Sequence, residues 1–180
     1  LTGYWYPEEK EWEPPDDLLR FLDSGSPPVF FGFGSMPIKN PKKATETIIA
    51  ALTRTGQRGM IHSGWSKLGK VNLPENVFRI DYVPYDWLFP RMGMIFHHGG
   101  AGTTAFGFRS GVPCCVVPFV FDQFYWGKRV YELGVGPEQI PYKRFNVPNL
   151  INVIDRCTQN NEMKIKATDL GNKMKLEKGV

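Results

Sequence analysis

The 180-residue chain is long enough for one domain with a real core and too short for two full α/β lobes. Apolar residues make up 42%, aromatics 14% and charged residues 22%, a balance that excludes disordered and fibrous classes. Lys and Arg (22) exceed Asp and Glu (18) by 4, an excess spread along the chain that suits anionic ligands and not duplex nucleic acid, which takes a concentrated basic face.

Residues 1–15 are rich in aromatics, Pro and acids without a clear period and read as an incoming linker. The opening Leu1-Thr2-Gly3-Tyr4-Trp5-Tyr6 lacks an initiating Met and the basic start of a signal peptide, so it reads as cut from a longer polypeptide. Asp16 is expected to cap a short helix whose Leu18, Leu19 and Leu22 recur at helical spacing. The Ser24-Gly25-Ser26-Pro27-Pro28 cluster ends it, giving a linker and short helix over 1–28 and a main domain over 29–180.

Val29 to Phe33 is wholly apolar, as in a strand buried on both faces of a parallel sheet. Asn40 and Pro41 open a helix running to about Thr55, with Ala44, Ile48, Ala51 and Leu52 on one side. Gly59 to His62, Val77 to Ile80 and Met92 to Phe96 are the next strand candidates. A helix from about Gly102 to Ser110, a strand over Pro113 to Val117 and a helix from about Gln123 to Leu133 follow. Pro148 starts another helix, and the Lys-rich stretch from Asn160 to Lys178 reads as one more. The alternation predicts an α/β domain: a Rossmann-like open, mostly parallel sheet with helices on both faces. Ligands of such sheets sit in the crevice outside the carboxyl ends of the strands, so the loops there are the places to search.

The longest apolar run, Val112 to Phe121, carries two prolines and is far short of a membrane span. The three cysteines, two of them adjacent, make neither a disulfide framework nor a metal set and read as buried thiols.

The first strand-end loop, Gly32-Phe33-Gly34-Ser35-Met36-Pro37, fails the dinucleotide fingerprint because Pro37 stands where its third glycine belongs. It is either an ordinary tight turn or a loop that lets backbone and the Ser35 hydroxyl approach an anion. His97-His98-Gly99-Gly100-Ala101-Gly102-Thr103-Thr104 is the strongest signal. It leaves an apolar strand and opens a helix, whose first amides and dipole favour negative charge. The glycines allow close main-chain approach, Thr103 and Thr104 add hydroxyls, and His98 adds an imidazole N–H. These groups together suit a diphosphate; the alternative is a glycine-rich turn capped by its own threonines. No Lys follows the glycines, so this is not a Walker loop. His97 and His98 alternate on an extended segment, so one of them, chosen as His98, should face the crevice. With His62 the only other histidine, the ligands for a zinc site are lacking. Asp122 and Gln123 stand at the mouth of the next helix and offer acceptors and donors suited to sugar hydroxyls, unless Asp122 simply caps that helix.

The segments Asp81-Tyr82-Val83-Pro84-Tyr85-Asp86-Trp87, His97 to Thr104, Gly111-Val112-Pro113 and Asp122-Gln123-Phe124-Tyr125-Trp126-Gly127, in this order, resemble the nucleotide-sugar signature of the family 1 glycosyltransferases. Within that family the chain is most similar to the sterol 3-β-glucosyltransferases, whose pattern Gly32 to Met36, Ser63-Gly64-Trp65 and Gly134 to Pro137 also fit. The resemblance implies the donor-binding C-terminal lobe of an inverting GT-B enzyme, with an N-terminal acceptor lobe, and the base it carries, outside this chain. It implies UDP-glucose as donor, no metal or other cofactor, a sterol or similar lipid as acceptor, and a cytoplasmic location, peripheral at membranes.

Carried over by position, His98, Gly100, Gly102, Thr103 and Thr104 would cradle the diphosphate, and Ser35 would reach it from the first loop. Val83 would meet the uracil edge through its backbone, while Asp122 and Gln123 would hold glucose hydroxyls. Trp65 would stack on the base or else be a core tryptophan. No catalytic residue is expected here. Phe106 stands near the position where many plant members have a ribose-binding Glu, and Tyr85 replaces a His common in the sterol-type motif. A one-lobed subunit acting with an acceptor subunit, and a non-catalytic sugar-nucleotide-binding module, are the alternative readings.

Overall fold

The computed structural model describes Tyr4, Tyr6 and residues 12–177. Most of the opening segment read as a linker therefore lies outside the described residues, whereas the last helix, expected to run to Lys178, ends at Leu176 because Glu177 is extended. Five parallel strands form the sheet: β1 (Val29–Gly32), β2 (Gly59–His62), β3 (Val77–Ile80), β4 (Met94–His97) and β5 (Cys114–Val116). Their spatial order is β3-β2-β1-β4-β5. The chain thus builds outward from β1 on one side, then returns to lay β4 and β5 on the other. Between β1 and β4 the connections depart in opposite senses, which is where open α/β sheets admit ligands.

Among the described residues seven α-helices accompany the strands: α1 (Asp16–Asp23), α2 (Pro41–Thr55), α3 (Tyr85–Leu88), α4 (Ala101–Ser110), α5 (Gln123–Glu132), α6 (Val147–Gln159) and α7 (Asn161–Leu176). Strand residues alternate between two apolar layers. Phe31, Ile61, Met94, Phe96 and Cys115 meet α2 and α6 through Ile48, Leu52, Leu150 and Ile154. Phe30, Met60, Ile95, Cys114 and Val116 meet α1, α3, α4, α5 and α7 through Leu18, Leu88, Phe108, Val130 and Met174. Both faces are covered, which explains why β1 and β4 read as unbroken apolar runs. Phe31 and Phe96 stack across adjacent strands with centroids 4.6 Å apart.

Local chemistry sets the boundaries. Asn40, Asn146 and Asn160 each accept an amide hydrogen bond at the start of α2, α6 and α7. Asn160 also ends α6, so one residue stops one helix and starts the next. The cap expected of Asp16 is corrected: Pro15 precedes the helix, Asp16 is its first residue, and no side chain caps it. The strand expected through Phe33 stops at Gly32, because the chain turns at Gly34 with φ +56°. The short α3 was not anticipated, since four residues carry no period. All three cysteines are buried, and burial pushes their thiols up. No helix among the described residues is long and apolar enough to cross a membrane.

Candidate functional site

Four strand-end loops meet at the carboxyl edge of the sheet. The loop after β1 places Gly34 against the loop after β2: the Trp65 amide donates to the Gly34 carbonyl at 3.1 Å. A side chain on Gly64 would stand 2.6 Å from that same oxygen. The His98 imidazole from the loop after β4 lies between the two glycine turns; a Cβ on Gly34 would meet it at 3.1 Å and one on Gly100 at 2.5 Å. Gly99, at φ +89°, is pressed on the loop after β5, where a Cβ would meet Val116 at 2.6 Å and the Gln123 carbonyl at 3.0 Å. The glycines are thus what allows these loops to touch.

The glycine loop runs into α4, whose N-cap is Gly100 and carries no side-chain cap. Its first-turn amides therefore keep their donor capacity and the positive end of the dipole. Gly102 is exposed, and a Cβ there would meet nothing within 4 Å, so the space over the helix start is open. Thr103 beside it is half-buried, and Ser35 in the loop after β1 is exposed.

Two expected ligand groups point elsewhere. Thr104 is fully buried, and its hydroxyl donates back to the Gly100 carbonyl at 3.0 Å, bracing the helix instead of facing the crevice. Gln123 is also buried: its Oε1 accepts from the Phe119 and Val120 amides at 2.8 and 3.1 Å, and its Nε2 reaches the Met36 sulfur at 3.1 Å. It ties the loop after β5 to the loop after β1. Position removes one reading each for Trp65 and Asp122. Trp65 is 81% exposed, so it is not a core tryptophan. Asp122 stands at the start of α5 without making a capping bond, and its carboxylate is exposed.

Burial acts on both histidines, more completely on His97 than on His98. Burial lowers the His98 pKa, while the nearby Asp122 carboxylate pulls it back up. At neutral pH the ring is uncharged and can donate one N–H. His97 is fully buried; burial, with His98 beside it, pulls its pKa down to about 3. Its Nδ1 accepts the Gly99 amide at 3.1 Å. A depressed histidine pKa means that the unfolded chain binds more protons, so stability is full above the unfolded value near 6.5 and is lost as pH falls toward about 3. From pH 7 to pH 5 the His97 contribution is expected to drop by about 2 kcal/mol. Urea unfolding at the two pH values checks this: His97→Asn should unfold with a visibly smaller acid dependence than the parent.

A cavity of about 260 Å³ adjoins the loop after β3, lined by His62, Tyr82, Val83, Pro84, Tyr85, Asp86 and Phe106. The Val83 side chain is buried in the core. Tyr85 stacks on Phe89 with centroids 4.3 Å apart, and burial raises its phenol to about 12. His62 donates Nε2–H to the Asp81 carbonyl at 3.1 Å. Phe106 of α4 forms one wall of the cavity. His62 and Tyr85 were not singled out as ligand groups in the sequence, since neither sits in a spacing that marks a ligand.

The sequence profile of the erythromycin biosynthesis protein CIII-like C-terminal domain matches residues 47–177. The chain belongs to this family. It is a glycosyltransferase C-terminal domain similar to sterol glucosyltransferases. A sterol 3-beta-glucosyltransferase of Arabidopsis thaliana is 44% identical over 172 residues, covering 94% of this chain and 28% of that protein. One of Aspergillus terreus is 39% identical over 193 residues, covering 100% of this chain and 14% of its own length. The chain therefore spans well under a third of these relatives. Among solved structures, the glycotransferase of kitacinnamycin aligns with a TM-score of 0.78 at 20% identity, over 99% of this chain and 46% of that one. The glycosyltransferase SnogD from Streptomyces nogalater aligns with a TM-score of 0.73 at 20% identity, over 97% and 46%. At that identity the likeness carries the fold: one lobe of a GT-B glycosyltransferase.

Proposed function

We propose that this C-terminal domain binds UDP-glucose as the donor half of an inverting glucosyltransferase acting on a sterol or similar lipid hydroxyl. The observation that carries the reading is the uncapped start of α4, open over Gly102 and flanked by His98, at the point where the connections after β1 and β4 depart in opposite senses. Gly100, Gly102, Thr103, His98 and Ser35 hold the diphosphate; the Val83 peptide edge meets the uracil; exposed Trp65 offers a face for stacking; Asp122 accepts from glucose hydroxyls. As the anomeric bond breaks, negative charge gathers on the leaving β-phosphate. Fixed amides and a neutral imidazole N–H stabilise it without reorganising, and no metal is needed for that task. The base that deprotonates the acceptor lies on a second lobe, and the complete protein works in the cytoplasm at membrane surfaces, where lipid acceptors reside.

Calorimetric titration of this chain with UDP-glucose, UDP-GlcNAc and TDP-glucose tests the assignment. Expected are binding of UDP-glucose, weaker binding of the other two, and no glucosyl transfer by the chain alone. No heat and no shift in melting temperature at millimolar UDP-glucose would overturn donor binding. Transfer by the isolated chain would overturn the placement of the base elsewhere.

A further inference from the structure

His97 is fully buried at the end of β4, and donor binding as proposed gives it no task. Strand alternation turns its side chain toward the face covered by α4, where a Cβ on Gly107 would stand 3.9 Å from Nε2. The Gly99 amide can only donate, so Nδ1 is the acceptor of their 3.1 Å hydrogen bond and the ring proton sits on Nε2. That Nε2–H is buried with no hydrogen-bond partner among the described residues. An apolar side chain would fill the same space without an unpaired buried donor, so packing does not account for an imidazole here.

The acceptor at Nδ1 does account for it. Gly99 turns the chain from strand to helix at φ +89°, with no room for a side chain on its outer face. Fixing its amide fixes the plane of the His98–Gly99 peptide, the last one before the turn at Gly99, and so anchors the direction from which the chain enters Gly100 and the amides of Ala101, Gly102 and Thr103. Resting on the reading of this crevice as a diphosphate site, we infer that His97 is a positioning residue. It withdraws the Gly99 amide from ligand binding and aims the next amides at the phosphates, without touching the ligand itself. The adjacent histidines thus divide the work: His98 faces the crevice, and His97 holds the loop from beneath.

His97→Asn and His97→Leu separate this role from packing. The Asn Oδ1 is bonded to Cγ as Nδ1 is, so it keeps an acceptor in nearly the same place; Leu fills the volume and offers none. In His97→Leu, amide hydrogen exchange at Gly99 should accelerate and UDP affinity should fall, each by about tenfold. In His97→Asn both should stay within about threefold of the parent, even if its melting temperature is the lower of the two. Retained Gly99 protection in His97→Leu overturns the inference. So does an equal loss of affinity in both variants that follows their melting temperatures. If the parent chain fails to bind UDP, the donor reading falls, and exchange at Gly99 alone decides whether His97 holds the loop.

Discussion

Replacing His98 with Ala is expected to lower kcat of the complete glucosyltransferase by about 30- to 1000-fold, the usual loss when one preorganised donor to a developing oxyanion is removed. The ring is well placed for that effect. It is clamped between Gly34 and Gly100, so it cannot swing away as charge moves, and burial keeps it neutral. Asp122 opposes that neutralisation only in part, which leaves one N–H to donate at working pH. The same substitution in this chain should weaken UDP-glucose binding by a smaller factor, because in the intact donor the bridging oxygen carries less charge than it does in the leaving group. Steady-state kinetics and calorimetry on one variant supply both numbers. An unchanged kcat with the fold retained would remove His98 from the site.

The sequence disclosed this edge of the sheet unevenly, for physical reasons. Apolar runs such as Val29 to Gly32 and Met94 to Phe96 announce buried parallel strands because both faces exclude water. The glycine loop was legible because amides approach an anion closely only where side chains are missing. Thr104 and Gln123 misled for a common reason: a hydroxyl or amide in a ligand motif can be consumed by the protein's own backbone, and residue type does not tell which partner wins. Asp122 behaves differently: an acid at a helix start normally caps it, yet here, on an αR backbone, it makes no capping bond. The cavity beside Val83 was invisible in any local pattern. It is assembled from β2, the β3–α3 connection and α4, which are distant in sequence and adjacent only because the sheet order is β3-β2-β1-β4-β5.

Substitution of Gly102 by Leu is expected to reduce UDP affinity more than about 100-fold while leaving the melting temperature unchanged or slightly raised, since Leu is the better helix former. The two effects separate because of where the new atoms go. A Cβ at Gly102 meets no protein atom within 4 Å, so the fold need not yield. The volume it enters lies directly over the first-turn amides of α4, where phosphate oxygens must come within hydrogen-bonding distance. Gly136 makes the contrast: a Cβ there would collide with the Cys114 carbonyl of β5, so any loss of binding on substitution would follow loss of structure. Gly102 is therefore a position where steric exclusion of a ligand can be measured without that ambiguity. Parent-like UDP affinity in Gly102→Leu would show that the diphosphate does not lie over α4, and the role given to His98 would fall with it.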